Sequence, residues 1–341
     1  MEQEVVRDMG NGKNTLLITG GLGFIGCALC ARLLKEKADW QIKILDNYSI
    51  GTLQDMSDAT SEAIGADNTD GLASVGPINI IRGDIRNRAD LENAMKSATH
   101  IVHLAAQTSV PISAENPQLD FETNVTPIFN LLDIARISGD KPKIVFSSSN
   151  APLGRAIQPV SEASLPSPIA PYGASKLVGE TYLSTFGEAY GIPSVSLRFG
   201  NVYGPGSFNK TSVVAKFIRQ ALNGETLEIY GDGSATRDFI HIDDLIGAIV
   251  KSLDLKTEGN QLFQISHGSE TEIGYLTDQI CDAFEKHNLP RPKVVFGEER
   301  AADMKRNVSD VSKASNVLGW TTTIPLIDGI LETLDWFLAR R

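Results

Sequence analysis

A short apolar run, Thr15-Leu16-Leu17-Ile18, runs directly into Thr19-Gly20-Gly21-Leu22-Gly23-Phe24-Ile25-Gly26 and then into a helical stretch from Cys27 to Lys37. Strand, glycine turn and helix in that order let backbone amides approach a pyrophosphate, with the partial positive charge of a helix N-terminus behind them. A second strand, Gln41 to Leu45, ends in Asp46, twenty residues beyond Gly26. A carboxylate there accepts hydrogen bonds from an adenosine ribose. A 2′-phosphate would meet that charge, and Asn47-Tyr48-Ser49 offers no arginine to offset it, so NAD is expected rather than NADP.

Tyr172-Gly-Ala-Ser-Lys176 follows a hydroxyl run, Ser147-Ser148-Ser149. Residues four apart share one face of a helix, so the ammonium and the phenol can act on one bound molecule. A free phenol has a pKa of about 10, and a neighbouring cation lowers it by roughly 1–3 units. Lys176 and an oxidised nicotinamide ring are the two expected cations.

With these motifs in order, the chain resembles the extended short-chain dehydrogenase/reductase family, in particular its nucleotide-sugar epimerases and dehydratases, from about Asn14 to about Trp320. The resemblance implies a cofactor site built from Gly20, Gly23, Phe24, Ile25 and Gly26, with Asp46 and Asn47 following. It places Asp84 and Ile85, from Gly83-Asp84-Ile85-Arg86, at the adenine, and Leu104, Ala105, Ala106 and Gln107 along the cofactor. Asn124 and Ser147 join them near the nicotinamide. Ser149, Tyr172 and Lys176 match the catalytic trio, the last two also holding the cofactor. On the substrate side the resemblance implies Ser149, Asn201, Tyr230, Arg237, Arg300, Asp303 and Asn307, with the arginines on a nucleotide diphosphate, for which guanidinium forks are suited.

Short β-branched runs at 79–82, 99–103, 143–146 and 194–197 are separated by helix-length segments, which predicts an α/β fold with a doubly wound parallel sheet. The Ser/Asp/Gly-rich stretch from Gln54 to Gly76 reads as a surface loop or short helices. After Arg198 the pattern turns irregular, as expected of a smaller, discontinuous α/β substrate domain. The expected division is a Rossmann-type domain of 1–198 plus about 238–260, and a nucleotide-sugar domain of about 199–237 plus 261–341.

A net charge of −11 argues against nucleic acid or an anionic membrane as partner. Cys27, Cys30 and Cys281 have neither metal-ligand spacing nor an even count and read as reduced structural thiols. No metal site is expected. The acidic N-terminal stretch and the absence of an 18-residue apolar run indicate a cytoplasmic, soluble protein. His103 and His241 read as core residues, and Asp243 and Asp244 as the cap of a helix.

The reaction is read from what stands beside Ser149. Within the resembling family, members that eliminate water carry acids there; this chain has Asn150 and Ala151. The expectation is therefore a UDP-sugar 4-epimerase, which oxidises C4 and returns hydride to the opposite face. Epimerisation at C2 of a CDP-sugar stays open, because Asn150 resembles epimerases that act at C2 of CDP-linked deoxysugars and Pro152-Leu153-Gly154 departs from the family epimerases' usual Val-Tyr-Gly. An NAD-dependent dehydrogenase or dehydratase and a non-catalytic dinucleotide-binding protein are the rival classes. Asn307, smaller than the tyrosine of strict glucose/galactose enzymes, predicts tolerance of N-acetylated sugars. Lys210 or Arg306 would suit a uronate carboxylate. The family's dimers suggest a homodimer through helices near Pro117–Ser138 and Tyr172–Tyr190.

Overall fold

The computed structural model describes residues 14–65, 71–299 and 305–340. Among them an eight-stranded sheet forms the frame. In chain order its strands are β1 (Thr15–Thr19), β2 (Gln41–Asp46), β3 (Leu72–Val75), β4 (Ile78–Arg82), β5 (His100–His103), β6 (Lys143–Ser149) and β7 (Ser194–Phe199), with a last strand at Asn260–Ile265. From edge to edge the order is 260–265, β7, β6, β5, β1, β2, β4, β3. All neighbours run parallel except β3, which lies antiparallel to β4. Because β2 and β5 flank β1 on opposite sides, the connections diverge there, and a crevice opens at the strands' carboxyl ends.

Alternation along the strands shows why both faces are covered. Leu16 and Ile18 of β1 enter one core, against α1 (Phe24–Glu36), while Leu17 enters the other. On β6, Val145 joins the first core, and Ile144 and Phe146 the second. The second core is closed by α6 (Thr126–Ser138) and α7 (Pro171–Tyr190), which come after four intervening helices: α2 (Leu53–Thr60), α3 (Arg88–Met95), α4 (Val110–Glu115) and α5 (Pro117–Asn124). Each fully buried leucine or isoleucine contributes roughly 1.5–3 kcal/mol. Two-sided burial of this kind requires nearly continuous apolar strands.

A smaller lobe follows β7. It contains β8 (Asn201–Tyr203), α8 (Val213–Leu222), β9 (Leu227–Tyr230), β10 (Thr236–Arg237) and β11 (Phe239–His241). The chain then returns as α9 (Ile242–Asp254), packs beside α1 on the first core, and enters the sheet as β12, the 260–265 strand. The remaining elements are β13 (Thr271–Glu272), α10 (Ile273–Lys286), β14 (Val294–Gly297) and α11 (Leu326–Ala339). The small lobe's own core joins Tyr203, Phe217, Leu276, Phe284 and Phe337.

Several details differ from the sequence reading. The first helix starts at Phe24 rather than Cys27. The 54–76 stretch holds both α2 and the edge strand β3, whose alternate residues Ala73 and Val75 are buried. Residues 260–265 run on into the sheet, and Trp320 packs in the first core, so segments assigned by sequence to the small lobe lie on the sheet side. The cap of α9 is His241, whose ring accepts from Asp243 N at 3.4 Å. Asp244 instead ties down a distant segment, accepting from Thr323 N at 2.9 Å and Ile324 N at 3.1 Å.

Candidate active site

The glycine turn closes against the next strand. Gly20 has φ +70°, and a Cβ there would lie 2.7 Å from Ala105 N; one on Gly26 would lie 2.4 Å from Gly21 O. Gly23 is the N-cap of α1 and supplies no side chain, and the first turn carries no acid, so the helix's leading amides are left for a ligand. Cys27 is buried in this turn, its Sγ donating to Leu22 O at 3.3 Å, and burial pushes its thiol up to about 12. The three cysteines are free and buried.

Asp46 ends β2 beside that turn. Its carboxylate accepts from Leu22 N at 3.0 Å and Tyr48 N at 2.8 Å. Burial raises its pKa, and these backbone bonds work against the rise. The sequence window after Asp46 contains no arginine, yet Arg82, its register partner on β4, lies 5.3 Å over the Tyr48 ring. Only strand pairing reveals that neighbour. Asn47 Nδ2 is 3.4 Å from Asp84, whose carboxylate is gripped by Arg86 at 2.7 Å and so held below its usual range. Ile85 beside it is buried.

After β5, Leu104 N and Ala105 N donate to Thr19 O at 3.1 and 3.0 Å, holding the 104–107 segment along the glycine turn. Ala106 is half-buried in that segment. Gln107 N donates to Asn124 Oδ1 at 2.9 Å, and Asn124 Nδ2 returns a bond to Gln107 O at 2.9 Å and another to Asp120 at 2.9 Å. His103 is fully buried against Thr19 Oγ1 at 2.7 Å, and burial pushes its pKa down to about 3, so the ring is neutral.

The trio meets where α7 crosses the end of β6. Pro171 opens the helix with its φ already set, and Tyr172 N donates to Ser113 Oγ at 3.1 Å. Close approach depends on two glycines: a Cβ on Gly173 would lie 2.5 Å from Ala151 O, and one on Gly179 2.5 Å from Phe146 Cζ. Ser149 acts on the Tyr172 phenol in the direction of ionisation, while its Oγ accepts from Ala151 N at 3.2 Å. Lys176 is 3% exposed; its Nζ donates to Ser147 O at 2.8 Å and lies 6.0 Å from the centre of the Tyr172 ring. Ser147 Oγ donates to His103 O at 2.8 Å.

The electrostatic balance differs from the sequence expectation. Burial dominates at Tyr172 and pushes its phenol up to about 12, against the pull of the Ser149 hydroxyl and with the Asp120 charge adding to the rise. Burial likewise brings Lys176 down to about 8, opposed by Asp120 and Glu180. Desolvation of the phenolate sets the direction, and the neighbouring ammonium is itself desolvated. Behind the trio, Glu180 accepts from Arg198 at 2.9 and 2.7 Å and from Ser148 at 2.5 Å.

Two of the expected substrate-side residues, Asn201 and Arg237, adjoin an acid that sequence reasoning passed over. Asp238 is 1% exposed, its carboxylate accepting from His267 N at 2.9 Å, Gly268 N at 3.1 Å and Ser309 N at 3.0 Å. Its carbonyl accepts from Asn201 N at 2.9 Å, and its neighbour Arg237 sits on β10, opposite Thr271. The available signal was an acid between Arg237 and Phe239 in an otherwise strand-like run. Tyr230 ends β9 with Lys216 Nζ 5.9 Å over its ring. Asn307 is half-buried beside Arg306, which pairs with Glu270. Arg300 and Asp303 lie outside the described residues. Asn150, next to Ser149, donates through Nδ2 to Ser309 Oγ at 2.9 Å. No group of His, Cys, Asp and Glu side chains among the described residues is placed to hold a metal ion, and no described helix is long and apolar enough to cross a membrane.

The chain belongs to the NAD dependent epimerase/dehydratase family, whose model matches residues 16–266. Within that family it is similar to the UDP-glucose 4-epimerase of Mycolicibacterium smegmatis, with 32% identity over 327 residues covering 94% of this chain and 97% of the relative. The fold is similar to that of a UDP-N-acetylglucosamine 4-epimerase from Methanobrevibacter ruminantium in complex with UDP-N-acetylmuramic acid, at a TM-score of 0.84 and 30% identity, covering 96% and 99% of the two chains. It is also similar to the UDP-glucuronic acid 4-epimerase of Bacillus cereus in complex with UDP-glucuronic acid and NAD, at a TM-score of 0.81 and 29% identity over 96% and 100%.

Proposed function

We propose that the protein is an NAD-dependent UDP-sugar 4-epimerase. The observation that carries the reading is the buried Tyr172 phenol with Lys176 Nζ 6.0 Å from its ring at the end of β6, beside Asn150 and Ala151, where an eliminating enzyme would need acids. Asp120, the carboxylate whose charge reaches Tyr172, is committed to Asn124 at 2.9 Å.

The glycine turn supports a dinucleotide: the bare first turn of α1 suits a pyrophosphate, and Asp46 suits a ribose diol. In this reading Gly20, Gly23, Phe24, Ile25 and Gly26 hold the pyrophosphate, and Asp46 and Asn47 the adenosine ribose. Asp84 and Ile85 hold the adenine, and residues 104–107, Asn124, Ser147, Tyr172 and Lys176 the nicotinamide end. NAD supplies a reversible hydride store and, when oxidised, a positive charge. Tyr172 takes the proton from the sugar's C4 hydroxyl as phenolate and returns it after the keto sugar has turned. Ser149 relays that proton. Lys176 fixes the ribose and favours the phenolate, a task that the bare site leaves to be completed by the second cation. Asn201, Tyr230, Arg237, Arg300, Asp303 and Asn307 hold the nucleotide sugar.

The same reading divides the chain into a cofactor lobe and a substrate lobe, with β12 counted in the first. The three free, buried thiols support a reducing, cytoplasmic compartment. A homodimer through α5, α6 and α7 is supported by exposed Phe121, Phe129 and Tyr182, the last two 5.6 Å apart.

The test is incubation without added cofactor with UDP-glucose, UDP-N-acetylglucosamine, UDP-glucuronate and a CDP-linked deoxysugar, followed by NMR and absorbance of NADH. Interconversion of C4 epimers without NADH accumulation is expected. Stoichiometric NADH, or a stable keto product, would move the protein to the dehydrogenase or dehydratase class.

A further inference from the structure

The junction of the two lobes contains a cation that the roles above do not use. The turn from Gly204 to Lys210 lies against the first residue of α1. A Cβ on Gly206, whose φ is +89°, would come 3.2 Å from Phe24 Cδ2, and Lys210 Nζ lies 5.9 Å from the centre of the same ring. The turn is held from behind: Arg219 donates to the carbonyls of Phe208 and, at 2.8 Å, Lys210, while Lys210 N donates to Ser207 O at 2.9 Å. The ammonium is thus presented from a braced backbone.

Among the described residues no ion pair holds the Lys210 ammonium. Burial alone acts on Lys210, pushing its pKa down with no acid to hold it up. An ammonium partly withdrawn from water without a counter-charge is costly, and the Phe24 ring that it approaches belongs to the first residue of α1, a helix whose N-terminus carries partial positive charge and no first-turn acid.

We propose that Lys210 binds a phosphate oxygen of a diphosphate at this junction, as an anchor additional to the glycine turn and the arginines. The proposal rests on the epimerase reading, which brings two diphosphates to the cleft: the cofactor's, at α1, and the nucleotide sugar's. A charge-assisted bond of this kind weakens with salt.

The test uses the full chain, with Lys210→Met and Lys210→Arg variants checked for folding by circular dichroism. Titrations with NAD and with UDP are run separately at low and high salt. Lys210→Met should weaken one of them about tenfold at low salt and less at high salt, while Lys210→Arg stays within about threefold of wild type. Loss confined to NAD assigns the cofactor's diphosphate, and loss confined to UDP the substrate's. If wild type binds both and Lys210→Met is unchanged for each, the proposal is overturned and the epimerase reading stands. A KM rise confined to UDP-glucuronate, with NAD and UDP binding intact, also overturns it, in favour of a carboxylate site. Wild type binding neither ligand overturns the reading beneath it.

Discussion

Asn150 Nδ2 donates to Ser309 Oγ at 2.9 Å, joining the residue beside Ser149 to the segment that carries Asn307. Ser309 N is itself held by Asp238, so the catalytic strand and the substrate segment share one chain of hydrogen bonds. Losing a bond of this type costs about 0.5–1.5 kcal/mol. Asn150→Ala should therefore raise KM for the sugar roughly two- to tenfold and change kcat less. Steady-state kinetics with each accepted substrate checks this; a fall in kcat at constant KM would give Asn150 a part in the chemistry instead.

Removing the phenolic hydroxyl should stop turnover while leaving the binding surfaces intact. Tyr172→Phe is expected to lower kcat by about 10²–10⁴-fold or more with NAD still bound on purification. An NAD assay on the denatured variant, beside NMR turnover, decides the matter. In the NAD-free protein Tyr172 should not ionise below about pH 11, since burial pushes its phenol up to about 12. Alkaline titration at the tyrosinate band, wild type minus Tyr172→Phe, should show that late step.

Lys176 has a folded pKa of about 8 against an ordinary 10.5. The unfolded chain therefore holds this proton more tightly, and stability at this residue rises as pH climbs from about 8 to 10.5. Denaturation midpoints of the NAD-free protein across that window should show a rise that Lys176→Met lacks. Parallel profiles for the two proteins would contradict it.

Breaking the Glu180–Arg198 pair should be severe. The side chains are 6% and 2% exposed and joined by two bonds, so Glu180→Ala leaves a guanidinium buried without its partner. A loss of about 3–5 kcal/mol is expected, read from urea unfolding. A loss below about 1 kcal/mol would mean that water reaches the pair.

At Gly20 both the positive φ and the 2.7 Å approach to Ala105 N forbid a side chain. Gly20→Ala should displace the 104–107 segment and weaken NAD binding by about 5- to 150-fold, an order-of-magnitude expectation from about 1–3 kcal/mol of strain. Fluorescence titration with NAD measures it directly.

The parts of the molecule that were legible in advance are those whose meaning is local. The glycine turn, Asp46 twenty residues on and the Tyr172–Lys176 spacing are fixed by one turn or one helix face. What escaped is nonlocal. Asp238 gathers amides from residues 267, 268 and 309, and no short window exposes such a partnership. β3 lies within polar sequence because only its inward residues are buried. His241 took the cap from Asp243 because the helix begins two residues earlier than a cap at Asp243 implies. The direction of the Tyr172 shift also escaped, since the spacing reveals the cation but not the desolvation of both partners.

The route of the backbone has a thermodynamic consequence. After β7 the chain enters the small lobe, returns through α9 and β12, leaves again for α10, comes back to bury Trp320, and ends in α11 on the small lobe. Neither lobe is a contiguous piece of sequence that could be expressed alone, and Asp238 fastens the crossings together at one point. Melting one lobe strips a strand and a helix from the other, so the two should come apart in a single cooperative transition rather than in sequence.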